Sequence, residues 1–182
     1  MPATRKPRRK QDPLTNLFLS EAHGTFDRYE RRIAKCLSQL SDEQIWWRPN
    51  AASNSVGNLV LHLCGNVRQW IISGIGQTPD VRERDKEFAR RDGVPKAKLL
   101  AQLRVTMREA NRVLDRVSTE DLGRKYSIQG FRLSGLNAVS HVYEHFSHHA
   151  GQIIYITKMK RGKDLHFTHL PLIKKRKYHS NA

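Results

Sequence analysis

Four histidines fall within nine residues, His141, His145, His148 and His149, in the stretch SHVYEHFSHHAGQ. His145 and His149 stand four apart. On a helix that spacing puts both side chains on one face, with Cβ atoms about 6 Å apart, close enough for two imidazoles to reach one ion. The same face continues through Val142, Gln152 and Ile153, so the pair points toward a core or its rim. Two stacked inward imidazoles repel one another if charged and risk unpaired nitrogens if neutral; a metal ion answers both problems.

A third ligand should come from a neighbouring helix, and His62 in NLVLHLCGN is the candidate, one turn after Leu59 at the edge of an apolar stripe. Alone it would read as a hydrogen-bonded core residue. Beside the later cluster it reads as a ligand. Three neutral imidazoles leave a coordination position for water or substrate, the mark of an open site. Such a set suits zinc, nickel, iron and copper alike. Metal-bound imidazoles usually give their other N–H to an acceptor, and His141, Glu144, Gln152 and Asn66 are the candidates for that supporting role.

Other patterns fail. His141, Glu144 and His145 spell the inverted zinc-peptidase motif, but the only later side-chain carboxylate is Asp164. A di-iron bundle needs Glu-x-x-His pairs, and Ser147 stands three residues after Glu144. Trp46, Trp47 and Trp70 read as core anchors, and Cys64, two residues from His62, as packed on the opposite side of its helix.

The elements that must position these residues follow from apolar spacing. Asp12-Pro13 opens a long first helix whose stripe is read as Leu14, Leu17, Phe18, Phe26, Tyr29, Ile33, Leu37 and Leu40. Ser41 and Gln44 form a capping box for a short turn. A second helix starts near Asn54 or Ser55 and stops at Gly74 and Gly76. The charged stretch from Gln77 to Val94 lacks a stripe and reads as a long connection with one helical turn around Lys86 to Arg90, serving as a lid, a dimer contact or a solvated loop. Pro95 opens a third helix through Leu99, Leu103, Met107 and Leu114, and Tyr126 to Leu133 reads as a small hairpin around Gln129-Gly130. Ser134 caps a fourth helix, with Leu136, Val139, Val142, Phe146, Ile153, Ile154 and Met159 apolar and Gly162 as its stop. Four amphipathic segments without strand–helix alternation specify an all-α four-helix bundle, with a long connection between helices 2 and 3.

The net charge of +16 is concentrated at the ends: +5 within residues 1–11, +7 from Lys158 onward and only +4 between. The expected organisation is a basic disordered tail over 1–11, the bundle over 12–162 and a basic tail over 163–182. Such tails can engage nucleic acid through phosphate, but charge runs are more often solvated ends, so that partner is not favoured. No apolar run reaches the roughly 18 residues of a membrane span, and residues 1–11 do not lead into a signal sequence. With two distant cysteines, Cys36 and Cys64, a cytoplasmic protein without disulfides is expected.

WWRPNAASNSVGNLVLHLCGN together with EHFSHHAGQI resembles the DinB superfamily, the DinB/YfiT-like proteins, over about residues 14 to 161. The resemblance implies a four-helix bundle with a three-histidine divalent metal site carried by His62, His145 and His149. It also implies a homodimer and an activity that transfers or uses a low-molecular-weight thiol. Two departures stand out: Ala150 where many members have Arg, and the added His141. The expected function is a metal-dependent enzyme that activates a thiol (S-transferase type) or water for attack on a small electrophile. The alternative is a non-catalytic, stress-associated, metal-stabilised bundle whose basic tails bind nucleic acid.

Overall fold

The structure is a computed structural model that describes residues 12–167; the tail residues 1–11 and 168–182 lie outside the described part. Helix α1 (Pro13–Gln39) begins where Asp12 accepts the Thr15 backbone N–H at 3.1 Å and Pro13 takes a first-turn position that needs no donor. Short α2 (Asp42–Trp46) carries the capping box of Ser41 and Gln44. The second bundle helix, α3 (Val56–Val67), starts from a box of Ser55 with Asn58 and continues as a π-helical segment over Arg68–Ile75.

A polar connection with a six-residue helix α4 (Arg84–Ala89) leads to α5 (Lys96–Leu114). After α6 (Thr119–Gly123), strands β1 (Lys125–Ile128) and β2 (Phe131–Ser134) pair antiparallel, with Tyr126 opposite Leu133 and Ile128 opposite Phe131. Gln129 and Gly130 both have positive φ, 54° and 81°, as a two-residue hairpin turn demands. Helix α7 (Gly135–Arg161) runs from the Ser134 cap to Gly162, which closes it at φ 61°.

Four long helical segments, α1, α3 with its π extension, α5 and α7, form the expected all-α bundle. Helix α1 packs along α7, where Phe26 and Phe146 meet edge to face at 5.8 Å, and α3 packs on α5. The core is one cluster that includes Ile33, Leu37, Leu63, Ile71, Leu103, Met107, Val142 and Ile153.

The expected stripe of α1 was partly misplaced. Leu14 and Leu17 are 73% and 67% exposed, because the inward row runs Thr15, Leu19, Ala22, Phe26, and residues 14 and 17 fall off it. Leu136 and Met159 on α7 are likewise exposed. The last two turns of the second helix are π rather than α, which apolar spacing does not reveal. Cys36 and Cys64 are both free and buried. Among the described residues no helix is long and apolar enough to cross a membrane.

Candidate metal centre

Helices α3 and α7 bring His62, His145 and His149 together. His145 Nε2 lies 3.1 Å from His62 Nε2 and 3.1 Å from His149 Nε2, and a ligand atom from each histidine lies within 4.8 Å of the other two. The i, i+4 spacing supplies one pair, with ring centroids 4.4 Å apart, and α3 supplies the third ring across the interface. His62 is buried.

The outer nitrogens decide what the inner ones present. His62 Nδ1 is 3.0 Å from Glu87 Oε2, and His149 Nδ1 is 2.7 Å from Gln152 Oε1. Both partners accept, so His149 donates from Nδ1, as does His62 in the tautomer that meets Glu87, and each then turns an Nε2 lone pair inward; His62 Nδ1 also lies 3.1 Å from Arg82 Nη2, a donor. The Gln152 amide is itself oriented, its Nε2 lying 3.2 Å from His148 Nε2. A single proton on His145 Nε2 satisfies at most one of its two neighbours, so three protein nitrogens alone leave a lone-pair repulsion. A cation at their centre removes it. The 3.1 Å separations are close to the roughly 3.3 Å edge of a tetrahedral site with bonds of about 2.0–2.1 Å. The donor set therefore fits a divalent ion.

Electrostatics agree with neutral rings. Burial, reinforced by His149 and His62, pushes the His145 imidazolium down to about 3. Burial pushes His149 down to about 4 against the opposing hydrogen bond to Gln152. Neutral imidazole is the form that ligates a metal.

The supporting candidates separate. Gln152 meets His149, Oε1 to Nδ1. His141 does not join the three; its ring stacks on Trp70 at 4.0 Å and lies 5.6 Å from that of His145, flanking the site. Glu144 is exposed and has no hydrogen bond to the three; it lines a surface pocket with Thr25, Tyr29 and Ser147. Asn66 is buried one turn beyond His62, but its Oδ1, like His145 Nδ1, has no hydrogen-bond partner among the described residues.

The residues that sequence reasoning missed are Glu87 and Arg82, in the connection read as a lid, a contact or a solvated loop. Arg82 Nε and Nη2 each lie 2.8 Å from an oxygen of Glu87, and the two side chains are 3% and 11% exposed. Burial acts to raise the Glu87 carboxyl, but hydrogen bonds from Arg82 and His62 outweigh it and hold it below the usual carboxylate range. The available signal was Gly65, a helix-interior glycine three residues after His62.

A cleft of about 690 Å³ lies beside the centre on the α7 side, lined by Pro49, Leu59, His148, Gln152, Tyr155 and Met159 among others. None of the three histidines lines it, but Gln152, which bonds His149, does. A larger one, about 790 Å³, lies apart from the histidines, between Trp46, Trp47, Pro95 and Lys160, so these half-buried indoles line a cavity as well as anchoring the core.

Residues 13–174 match the family described as "Protein of unknown function (DUF1572)". The chain belongs to that family. No curated protein matches it. Among solved structures it is similar to a conserved protein from Enterococcus faecalis, with a TM-score of 0.68 and 17% identity over 79% of this chain and 97% of that one. It is also similar to a DinB-like protein from Bacillus cereus, with a TM-score of 0.63 and 17% identity over 85% and 95%. A DinB-like protein from Bacillus subtilis gives 0.60 and 16% over 83% and 96%. At these identities the likeness is one of fold, and the fold of this DUF1572 chain is the DinB-like bundle.

Proposed function

We propose that this protein is a metal-dependent enzyme in which His62, His145 and His149 hold one divalent ion, zinc or nickel in first place. The observation that carries this reading is the convergence of three Nε2 atoms, two of them on rings whose outer nitrogens face the acceptors Glu87 and Gln152. When bound, the ion supplies Lewis acidity that lowers the pKa of a thiol or water and yields a nucleophile near neutral pH. The protein's own part is to keep His145 and His149 neutral, to aim all three rings and to leave a coordination position open.

Neither cysteine of the chain is suited to supply the nucleophile. Cys64 is buried and its thiol is pushed up to about 12, first by that burial; Cys36 is also buried and raised. A low-molecular-weight thiol, the co-substrate suggested by the DinB resemblance, or water fills that role. The cleft beside His148 and Gln152 has the size for a small electrophile with an apolar body. A cytoplasmic homodimer is the proposed setting.

The test is turnover. Protein loaded with zinc or nickel, given a panel of thiols and small electrophiles, should show metal-dependent consumption of thiol or hydrolysis, lost in His145→Ala. Metal-loaded protein that turns over none of them above background would count against an enzymatic role.

A further inference from the structure

Gly65 leaves room on α3 for a buried ion pair. A Cβ built there would collide with Glu87 Oε1 and stand 2.8 Å from Arg82 Nε. The pair thus sits directly on the helix surface one turn from His62.

We propose that Glu87, held by Arg82, is the positioning residue for His62, and that the connection between α3 and α5 docks as a working part of the metal centre. This rests on the three-histidine reading above.

Several contacts converge on this assignment. Arg82 grips both oxygens of Glu87 and reaches Gln69 Oε1 at 2.8 Å, while Gln69 donates to Asp80 at 2.7 Å. Glu87 therefore cannot swing away without breaking a chain of bonds. The backbone around it is latched to the same helix and to the segment before it: Asn58 Nδ2 on α3 donates to the carbonyls of Glu87 and Arg90, both at 2.8 Å, and Arg48, ahead of α3, donates to that of Phe88 at 2.9 Å. The Phe88 ring lies 4.6 Å from that of His62.

One further distance explains how the ion and the connection communicate. Arg82 Nη2 lies 3.1 Å from His62 Nδ1. A guanidinium only donates, whereas a carboxylate only accepts, so these two contacts belong to opposite tautomers of His62. With Nδ1 accepting from Arg82, the proton sits on Nε2 and blocks the ligand position. With Nδ1–H donating to Glu87, Nε2 is free. An ion at Nε2 selects the second tautomer, and linkage requires that it strengthen the docking of Glu87 as much as Glu87 strengthens the ion. The helix in this connection buries no residue fully, so its docking depends on such polar bonds and is readily biased.

The experiment measures Zn²⁺ affinity of the full chain by chelator competition for the parent, Glu87→Ala, Gly65→Ala and the exposed control Glu83→Ala. It also measures amide hydrogen exchange over residues 82–90 of the parent with and without Zn²⁺. Binding should weaken about 10–100-fold in the first two variants and be unchanged in the control, and exchange in the connection should slow with the metal. If the parent binds one zinc, the segment's exchange is unaltered and folded Glu87→Ala binds as tightly, the proposal is overturned while the triad stands. If Glu87→Ala does not fold, exchange in the unsubstituted protein decides. A parent that binds no zinc overturns both.

Discussion

Gln152 Oε1 lies 2.7 Å from His149 Nδ1, one turn along the same helix, and its amide nitrogen faces His148. One side chain thereby fixes the tautomer of a candidate ligand from the edge of the proposed substrate cleft. Together with Glu87 on His62, it leaves His145 as the one member of the triad whose outer nitrogen has no partner among the described residues. The three histidines are thus unequal, two with an outer nitrogen in contact with a polar side chain and one without.

Gln152→Ala should weaken metal affinity by about 10-fold, the low end of the loss seen when a ligand's acceptor is removed. Gln152→Glu should retain it, because a carboxylate accepts the same N–H. Chelator competition with the purified variants reads both. Equal affinity in Gln152→Ala would show that the His149 bond does not orient a ligand.

The metal-free fold should lose stability on acidification in a defined window. His145 and His149 are lowered to about 3 and about 4 in the fold, and titrate near 6.5 once unfolded. Between those values the unfolded chain binds more protons, so stability rises with pH there and is lost as pH falls from about 6.5 toward 3. Above 6.5 these groups contribute no slope. Melting temperatures of metal-free protein from pH 8 to 4 should show a shallower decline for His145→Gln than for the parent. Parallel curves would contradict the burial of a neutral His145.

Neither cysteine should react in the folded protein. At pH 8 a thiol probe should label Cys36 and Cys64 only slowly, since both are buried and their thiolates disfavoured. Both should label in denaturant. Rapid labelling of either in native protein would reopen the question of an internal nucleophile.

Much of this centre was legible in the sequence, for reasons specific to particular residues. His145 and His149 lie on one continuous helix, where spacing alone dictates a shared face, and Gln129-Gly130 announces its hairpin through the positive φ that the turn needs. The role of Glu87 and Arg82 was hidden. They sit among Asp80, Arg84, Asp85 and Lys86, where composition reads as a solvated run, and only folding places two of these charges on His62. Gly65 carried a trace of it, because a glycine inside a helix costs about 1 kcal/mol relative to alanine and asks for a close approach. Leu14 and Leu17 show the opposite failure. Apolar type suggested burial, but the row through Thr15 and Leu19 faces the core, and Thr15 is fixed by a 2.9 Å hydroxyl contact with Thr119 that no periodicity encodes.

The central claim is that one ion is held by three histidines, and metal content tests it most directly. Protein purified without a histidine tag, reconstituted and dialysed, should carry about one divalent ion per chain, as an open three-histidine site requires. His62→Ala, His145→Ala and His149→Ala should each abolish it while remaining folded. A parent with no bound metal, or single variants that retain full occupancy, would contradict the account.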